Sequence, residues 1–199
     1  MQLRIGCVVE GHGEVGSVPH LLRRIAHEVD PKLAVSVPHP IRIAKSKLLK
    51  PGELEKACEF AALKAGPDGG ILVLLDSDDD CPAELGPELL ARVRATRADL
   101  PSAVVLAKRE FESWFLASAE SLRGCRGLPQ DLESPGQPEE IAGAKEWLSA
   151  HIQGGGYSST VDQASLTNSL DFGLARRAKS FDKCSREIAL LLRTLRSRE

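Results

Sequence analysis

The sequence predicts an α/β fold: a layered structure with a mainly parallel central sheet flanked by helices, followed by a C-terminal helical appendage. Three observations carry that reading. Short β-rich runs alternate with segments of helical periodicity through the first half of the chain. The run Gly70-Ile71-Leu72-Val73-Leu74-Leu75 is apolar without alternation, as expected of a strand covered on both faces in a parallel sheet. The second half offers helical stretches separated by glycine- and proline-rich joints.

The elements follow in order. Residues 3–9 form an apolar, β-rich run that ends in Glu10-Gly11. Over residues 15–29, Val15, Val18, Leu21, Leu22, Ile25 and Val29 recur at helical spacing. A stretch broken by proline and histidine comes next, with residues 34–37 and 41–44 as short strand pieces. A helix over residues 53–64 starts after Pro51-Gly52 and stops at Gly66-Pro67, because glycine readily ends a helix and proline cannot continue one. The buried strand 70–75 runs into Asp76-Ser77-Asp78-Asp79-Asp80. A helix over 83–97 leads to a second buried strand, 102–107, and then to a helix over 111–119. Residues 124–138 read as loop, 139–151 as helix and Gly154-Gly155-Gly156 as a flexible joint. Two short helical stretches and an amphipathic helix over 181–196 close the chain. The expected division is a core over residues 1–118 and an appendage, 119–199, packed on it.

Composition limits the function classes. A chain of 199 residues, 42% hydrophobic and 27% charged, can bury a good core and is not a disordered polymer. No apolar run approaches the roughly 20 residues that cross a bilayer. The opening Met1-Gln2-Leu3-Arg4-Ile5 has no signal-peptide pattern, so a cytoplasmic protein without membrane attachment is expected. The net charge of −2 hides an asymmetry: residues 172–199 carry eight basic side chains against three acidic ones, leaving −7 upstream. Such a split suits metal in the acidic body and a polyanion on the basic segment, although on charge alone a solvated helix face is the favoured explanation of the basic segment. Cys7, Cys58, Cys81, Cys125 and Cys184 are odd in number and widely scattered, which opposes a disulfide framework and a structural zinc site and predicts free thiols.

Parallel α/β sheets bind ligands beyond the carboxyl ends of their strands, where Glu10, Asp76 and Lys108 all fall. In Asp76-Ser77-Asp78, two carboxylates one residue apart can turn toward one hard cation such as Mg²⁺. Haloacid-dehalogenase-like phosphatases and metal-dependent glycosyltransferases also use D-x-D at a strand end, but the phosphatase motif belongs on the first strand. Gly11, Gly13 and Gly16 satisfy G-x-G-x-x-G, yet Val37-Pro38-His39-Pro40-Ile41-Arg42 lacks the acid a dinucleotide site needs. A phosphate-binding loop would need lysine where Gly16 precedes Ser17. In Lys108-Arg109-Glu110-Phe111-Glu112, the two glutamates share no helix face and meet one cleft only if the helix begins at about Glu112. Taken singly, these acids are also explained as a solvated turn and a charged helix N-terminus.

Taken jointly, Val9-Glu10-Gly11 and Leu75-Asp76-Ser77-Asp78, each after a strand and about 65 residues apart, resemble the Toprim domain. That domain is shared by topoisomerases, bacterial primases, recombination proteins and overcoming-lysogenization-defect (OLD) nucleases, and the resemblance covers residues 1–118. Glu110-Phe111-Glu112-Ser113-Trp114, with Tyr157…Thr160-Val161-Asp162-Gln163…Arg176-Arg177…Ser180-Phe181, extends it to about residue 192. Over that length the chain resembles a group of small stand-alone bacterial Toprim-like proteins of unknown function, and its short, proline-broken second strand departs from the Toprim pattern.

The resemblance implies a Toprim-like layered core in which Glu10 is a general acid or base or a metal ligand, and Asp76 and Asp78 hold Mg²⁺ or Mn²⁺. It offers Glu14 and Glu110 or Glu112 to a second cation. Lys108 and one of Arg176, Arg177 or Lys179 would stand near the scissile phosphate, with Arg177 the residue carried forward. The implied activity is hydrolysis of nucleic-acid phosphodiesters, DNA before RNA, in bacterial defence or repair with an ATPase partner. Two alternatives stay open: a non-catalytic metal- or nucleic-acid-binding module of a larger complex, and a phosphohydrolase of small phosphate compounds. Tyr157 lacks the basic neighbours a topoisomerase nucleophile needs, His12 reads as a loop histidine, and Trp114 and Trp147 read as core anchors.

Overall fold

The computed structural model describes residues 2–198. Among them, strands β1 (Gln2–Val9), β2 (Ala34–Ser36), β3 (Ile41–Arg42), β4 (Gly70–Asp76) and β5 (Ser102–Ala107) form one sheet of order β2-β1-β4-β5, with β3 also on β1. Every pairing is parallel: Ile5 stands opposite Gly70, and Asp76 opposite Ala107. The chain is thus α/β with a mostly parallel central sheet flanked by helices. Pro38 and Pro40 lie between β2 and β3, and proline supplies no N–H to a ladder. The two pieces consequently share one edge of β1, β2 at Gln2–Arg4 and β3 at Val8–Val9.

Both faces of the sheet are covered, which explains the unbroken apolar run. Alternate side chains Leu3, Ile5, Cys7 and Val9 of β1, Leu72 and Leu74 of β4, and Ala103, Val105 and Ala107 of β5 enter one cluster with helices α1 (His12–Val29) and α9 (Lys179–Arg196). The opposite set, Val8, Ile71, Val73, Leu75, Val104 and Leu106, packs with α3 (Glu53–Ala65) and α4 (Pro82–Thr96). Helix α2 (Lys45–Leu48) lies between β3 and α3 in the chain. Gly6 admits α3 close to β1: a Cβ there would lie 2.1 Å from the Ala61 carbonyl oxygen.

The remaining helices are α5 (Ser113–Ala117), α6 (Ala144–His151), α7 (Ser159–Ser169) and α8 (Phe172–Ala175). Two differ from the sequence reading. The helix expected over 111–119 stops at Ala117 and continues as a 3-10 turn, Ala119–Leu122. The helix expected from residue 139 starts at Ala144, because Gly143 at φ 79° breaks it from the separate turn Pro138–Glu140. Trp114 is fully buried, its indole N–H donating to Ser180 Oγ at 2.8 Å and its ring edge-on to Phe181. Trp147 is half-buried and stacks on His151.

Helix α9 sets Phe181, Cys184, Ile188, Leu191, Leu192 and Leu195 at helical spacing against the sheet. Half of the eight basic side chains of the C-terminal segment are engaged in ion pairs inside the molecule. Arg176 meets Glu28 and Asp182, Arg177 meets Glu120, Arg186 meets Asp182, and Arg196 meets Asp30. This segment is therefore a weaker polyanion surface than its composition suggests. All five cysteines are free, and burial pushes the Cys58 thiol up to about 12. Among the described residues no helix is long and apolar enough to cross a membrane.

Gly6→Val is expected to force α3 off the sheet and cost about 1–3 kcal/mol. A urea midpoint equal to that of the wild type would show that α3 yields without loss.

Candidate metal centre

Parallel strands in register bring their carboxyl ends to one edge, so Glu10 after β1, Asp76 at the end of β4 and the segment after β5 converge without long loops. Arg109 sits at φ 60° and donates its N–H to Ser77 Oγ, fastening the turn after β5 to the turn after β4. Beyond it, the Phe111 N–H donates to Asp76 Oδ1 at 2.7 Å. Glu112 immediately precedes α5 and is fully buried. The expected condition for Glu110 and Glu112 to reach one cleft is thereby met.

What they reach is Lys145, in the first turn of α6. Its Nζ lies 3.6 Å from Glu112 Oε2, 3.7 Å from Glu110 Oε1 and 3.9 Å from Asp76 Oδ2, beyond ordinary hydrogen-bond length. Glu110 also accepts the Lys145 backbone N–H at 3.2 Å. The Tyr157 hydroxyl donates to Glu112 Oε1 at 2.9 Å, while Glu112 Oε2 is buried without a hydrogen bond. Glu14, on the first turn of α1, is held from two sides. Gly11 N–H donates to its Oε2 at 2.5 Å, and Gln163 Nε2 of α7 to its Oε1 at 2.9 Å. The first bond is half of a helix capping box, so Glu14 has a structural task of its own.

Burial dominates the electrostatics. It pushes Asp76 well above the usual carboxylate range, with Glu112 and Glu14 adding to the rise. It lifts Glu112 to about 7 against the pull of Lys145 and Tyr157. Burial disfavours the Lys145 ammonium too, but Glu112, Asp76, Glu110 and Glu14 together outweigh it and keep the charge in place. Burial and Glu112 also raise the Tyr157 hydroxyl, which stays a proton donor.

A second group adjoins the first. Lys45, at the start of α2 and nearly buried, sends its Nζ to Asp78 Oδ2 at 2.6 Å, Ser77 O at 2.7 Å and Asp80 Oδ2 at 3.0 Å. Its backbone N–H donates to Glu10 Oε1 at 3.1 Å, and Glu10 Oε2 is buried without a partner. Burial raises the Glu10 carboxyl, helped by Asp78 and Glu14. The two aspartates of Asp76-Ser77-Asp78 are therefore divided. Asp76 faces Lys145, whereas Asp78, at φ 49°, turns out to Lys45.

The two basic residues expected beside this centre are engaged elsewhere. Lys108 pairs with Glu140, and Arg177 with Glu120 at 2.7 Å. Both line a separate cavity of about 320 Å³ with Glu139, Glu140 and Lys179. Arg176 lies farther off, against Glu28. The cation at the centre is Lys145, which sequence reasoning missed, as it missed Lys45. Neither carries a local signal, because each meets its acids across 32 or more residues. Tyr157 and Gln163 stand in the late motif noted above, without a role assigned there.

The donors are all oxygens, and Glu10 Oε2 and Glu112 Oε2 each retain unused capacity, which fits a hard cation in type. The arrangement is centred on an ammonium instead. Among the described residues no group of three His, Cys, Asp or Glu side chains stands close enough to hold one metal ion.

Residues 9–188 match the family described as a domain of unknown function (DUF4276), and the chain belongs to that family. Every candidate site residue lies inside the matched span. No curated protein and no solved structure matches the chain.

The raised acids set a pH dependence. Glu112 binds protons more tightly folded than unfolded between its ordinary 4.5 and about 7, so metal-free stability falls as pH rises through that window. This one group contributes about 3 kcal/mol at most. Lys145→Met removes the opposing cation and is expected to steepen the fall, read as the difference in melting temperature between pH 5 and pH 8 in EDTA. An unchanged difference would mean that Lys145 does not balance these carboxylates.

Proposed function

We propose that this DUF4276 chain is a divalent-metal-dependent hydrolase of nucleic-acid phosphodiesters, with a Toprim-like core and Mg²⁺ or Mn²⁺ as its cofactor. One observation carries the reading: Asp76, Glu110 and Glu112 surround a single cationic centre at the carboxyl edge of a parallel sheet, with Glu14 acting on it from farther off, and buried Glu112 Oε2 lacks a hydrogen bond. Asp76, Glu112 and Glu110 would hold the metal once drawn closer together than they stand around Lys145, with Glu10 beside them. Metal entry requires Lys145 to withdraw from between the acids, and its side chain, 39% exposed, has solvent to move into. A bound divalent cation supplies water activation and offsets charge on the phosphoryl oxygens.

The chain's own groups do the rest. Lys145 presents its ammonium to the phosphodiester in place of the more distant Lys108 and Arg177. Glu10, raised by burial, holds a proton at Oε2 more readily than a solvated glutamate and suits acid–base work. Tyr157 and Gln163 orient Glu112 and Glu14. Action in the cytoplasm, on DNA before RNA, in defence or repair and beside an ATPase partner, belongs to the same proposal and rests on the Toprim resemblance. A non-catalytic binding module is the second reading, favoured by the absence of a converging acidic trio among the described residues.

Calorimetric titration of Mn²⁺ and Mg²⁺ is expected to show binding by the wild type and none by Asp76→Ala, with circular dichroism unchanged. Glu10→Ala and Asp76→Ala are expected to slow plasmid cleavage about 100-fold or more. Cleavage by either variant at the wild-type rate would remove the assigned site. Metal binding without cleavage of DNA or RNA would favour the binding module, and turnover of a generic phosphate ester alone a small-molecule phosphohydrolase.

A further inference from the structure

Helix α1 carries a second chemical surface that the carboxylate centre does not use. His12, Gly16, His20, Arg23 and His27 recur three or four residues apart and so share one face. His12, Gly16, Arg23 and His27 are exposed and His20 is half-buried. The stripe begins beside Gly11 and Glu14 at the centre and extends about 22 Å along the helix, about six base-pair steps of duplex. Helix α7 forms the other wall: Gln163 approaches Gly13, and Ala164 approaches Gly16.

At the far end the seam opens into a cavity of about 430 Å³ lined by His20, Arg23, Arg24, His27, Asn168 and Phe172, together with Glu28. Arg24 is fixed in place. It donates to the Thr167 and Leu170 carbonyls at 2.6 Å and lies over the Phe172 ring at 4.1 Å. Glu28, the acid in this lining, is engaged by Arg176 at 3.2 Å. The cavity therefore presents positive charge and hydrogen-bond donors to an anion.

We propose that the α1–α7 seam is a phosphodiester-backbone track leading substrate to the carboxylate centre. This rests on the hydrolase reading, and it answers a difficulty in it. An acidic centre repels a polyanion, and four of the eight basic side chains of the C-terminal segment are occupied by internal ion pairs. The α1 stripe leaves the Arg23 guanidinium and the imidazoles of His12 and His27 exposed on a surface continuous with the centre. Gly16 and Ala164 keep side-chain bulk out of the way.

The test is fluorescence anisotropy with labelled oligonucleotides of about 20 residues, as duplex DNA, single-stranded DNA and single-stranded RNA, in Ca²⁺ to suppress cleavage. Arg23→Glu/His27→Glu is expected to bind about tenfold or more weakly, with a salt slope lower by about 1 or more. Arg23→Gln, a milder change at an exposed position, is expected to show a smaller loss in the same direction. Arg94→Glu on α4, across the sheet, is the charge control and is expected to bind within about twofold of the wild type. Equal binding by the double variant, an equal loss in Arg94→Glu, or no wild-type binding to any of the three probes would overturn the track. Mn²⁺ calorimetry separates the two proposals. Metal bound normally by a double variant that has lost the oligonucleotide supports the track, whereas oligonucleotide binding without metal binding in the wild type removes the hydrolase reading and leaves the stripe standing.

Discussion

The enclosure of like charges at the carboxyl edge of the sheet is the constraint on which the rest of this structure depends. Asp76, Glu112 and Glu14 are withdrawn from water within reach of one another, and in a medium of low polarity such a set is unstable unless a cation or protons balance it. Lys145 supplies that cation, Tyr157 and Gln163 supply hydrogen bonds, and all three come from the chain after residue 143. The strands bring the acids together, but helices α6 and α7 make their burial tolerable.

The same logic governs the adjoining turn. Asp78 and Asp80 would drive each other apart after Asp76, yet Lys45 joins both to the Ser77 carbonyl. Because the backbone of Lys45 also donates to Glu10, the ends of β1 and β4 are linked through one residue of α2. Arg109 and Asp78, both at positive φ, knit the β4 and β5 turns by backbone bonds, and a non-glycine residue in that region costs energy that the surrounding contacts must offset. Rigid walls around a charged centre are what a site needs in order to position a reacting group.

Away from this edge the charges are arranged differently. Ion pairs of Arg176, Arg177 and Arg196 with Glu28, Glu120 and Asp30 tie the C-terminal segment to the body, while the apolar side of α9 completes one layer of the sheet. These pairs are exposed and individually weak, so apolar packing is the larger contribution to docking α9. Their clearer consequence is electrostatic, since with the Arg186–Asp182 pair they engage half of the basic side chains of the C-terminal segment, while α1 keeps Arg23 exposed on the face that begins at the acidic centre.

Local signals in the sequence determined the layered α/β fold, its parallel sheet and the strand ends that carry Glu10 and Asp76. Apolar runs and glycine–proline stops act over a few residues, and a strand buried on both faces must be apolar throughout. Trp114 was legible as a core anchor for the same reason. The tertiary structure alone decided that Asp76 and Asp78 part company, that Lys108 and Arg177 turn to Glu140 and Glu120, and that Lys145 and Lys45 become the central cations. Those outcomes depend on contacts between residues far apart in the chain, where nothing in local spacing tells a lysine on a solvated helix from one drawn into a ring of carboxylates.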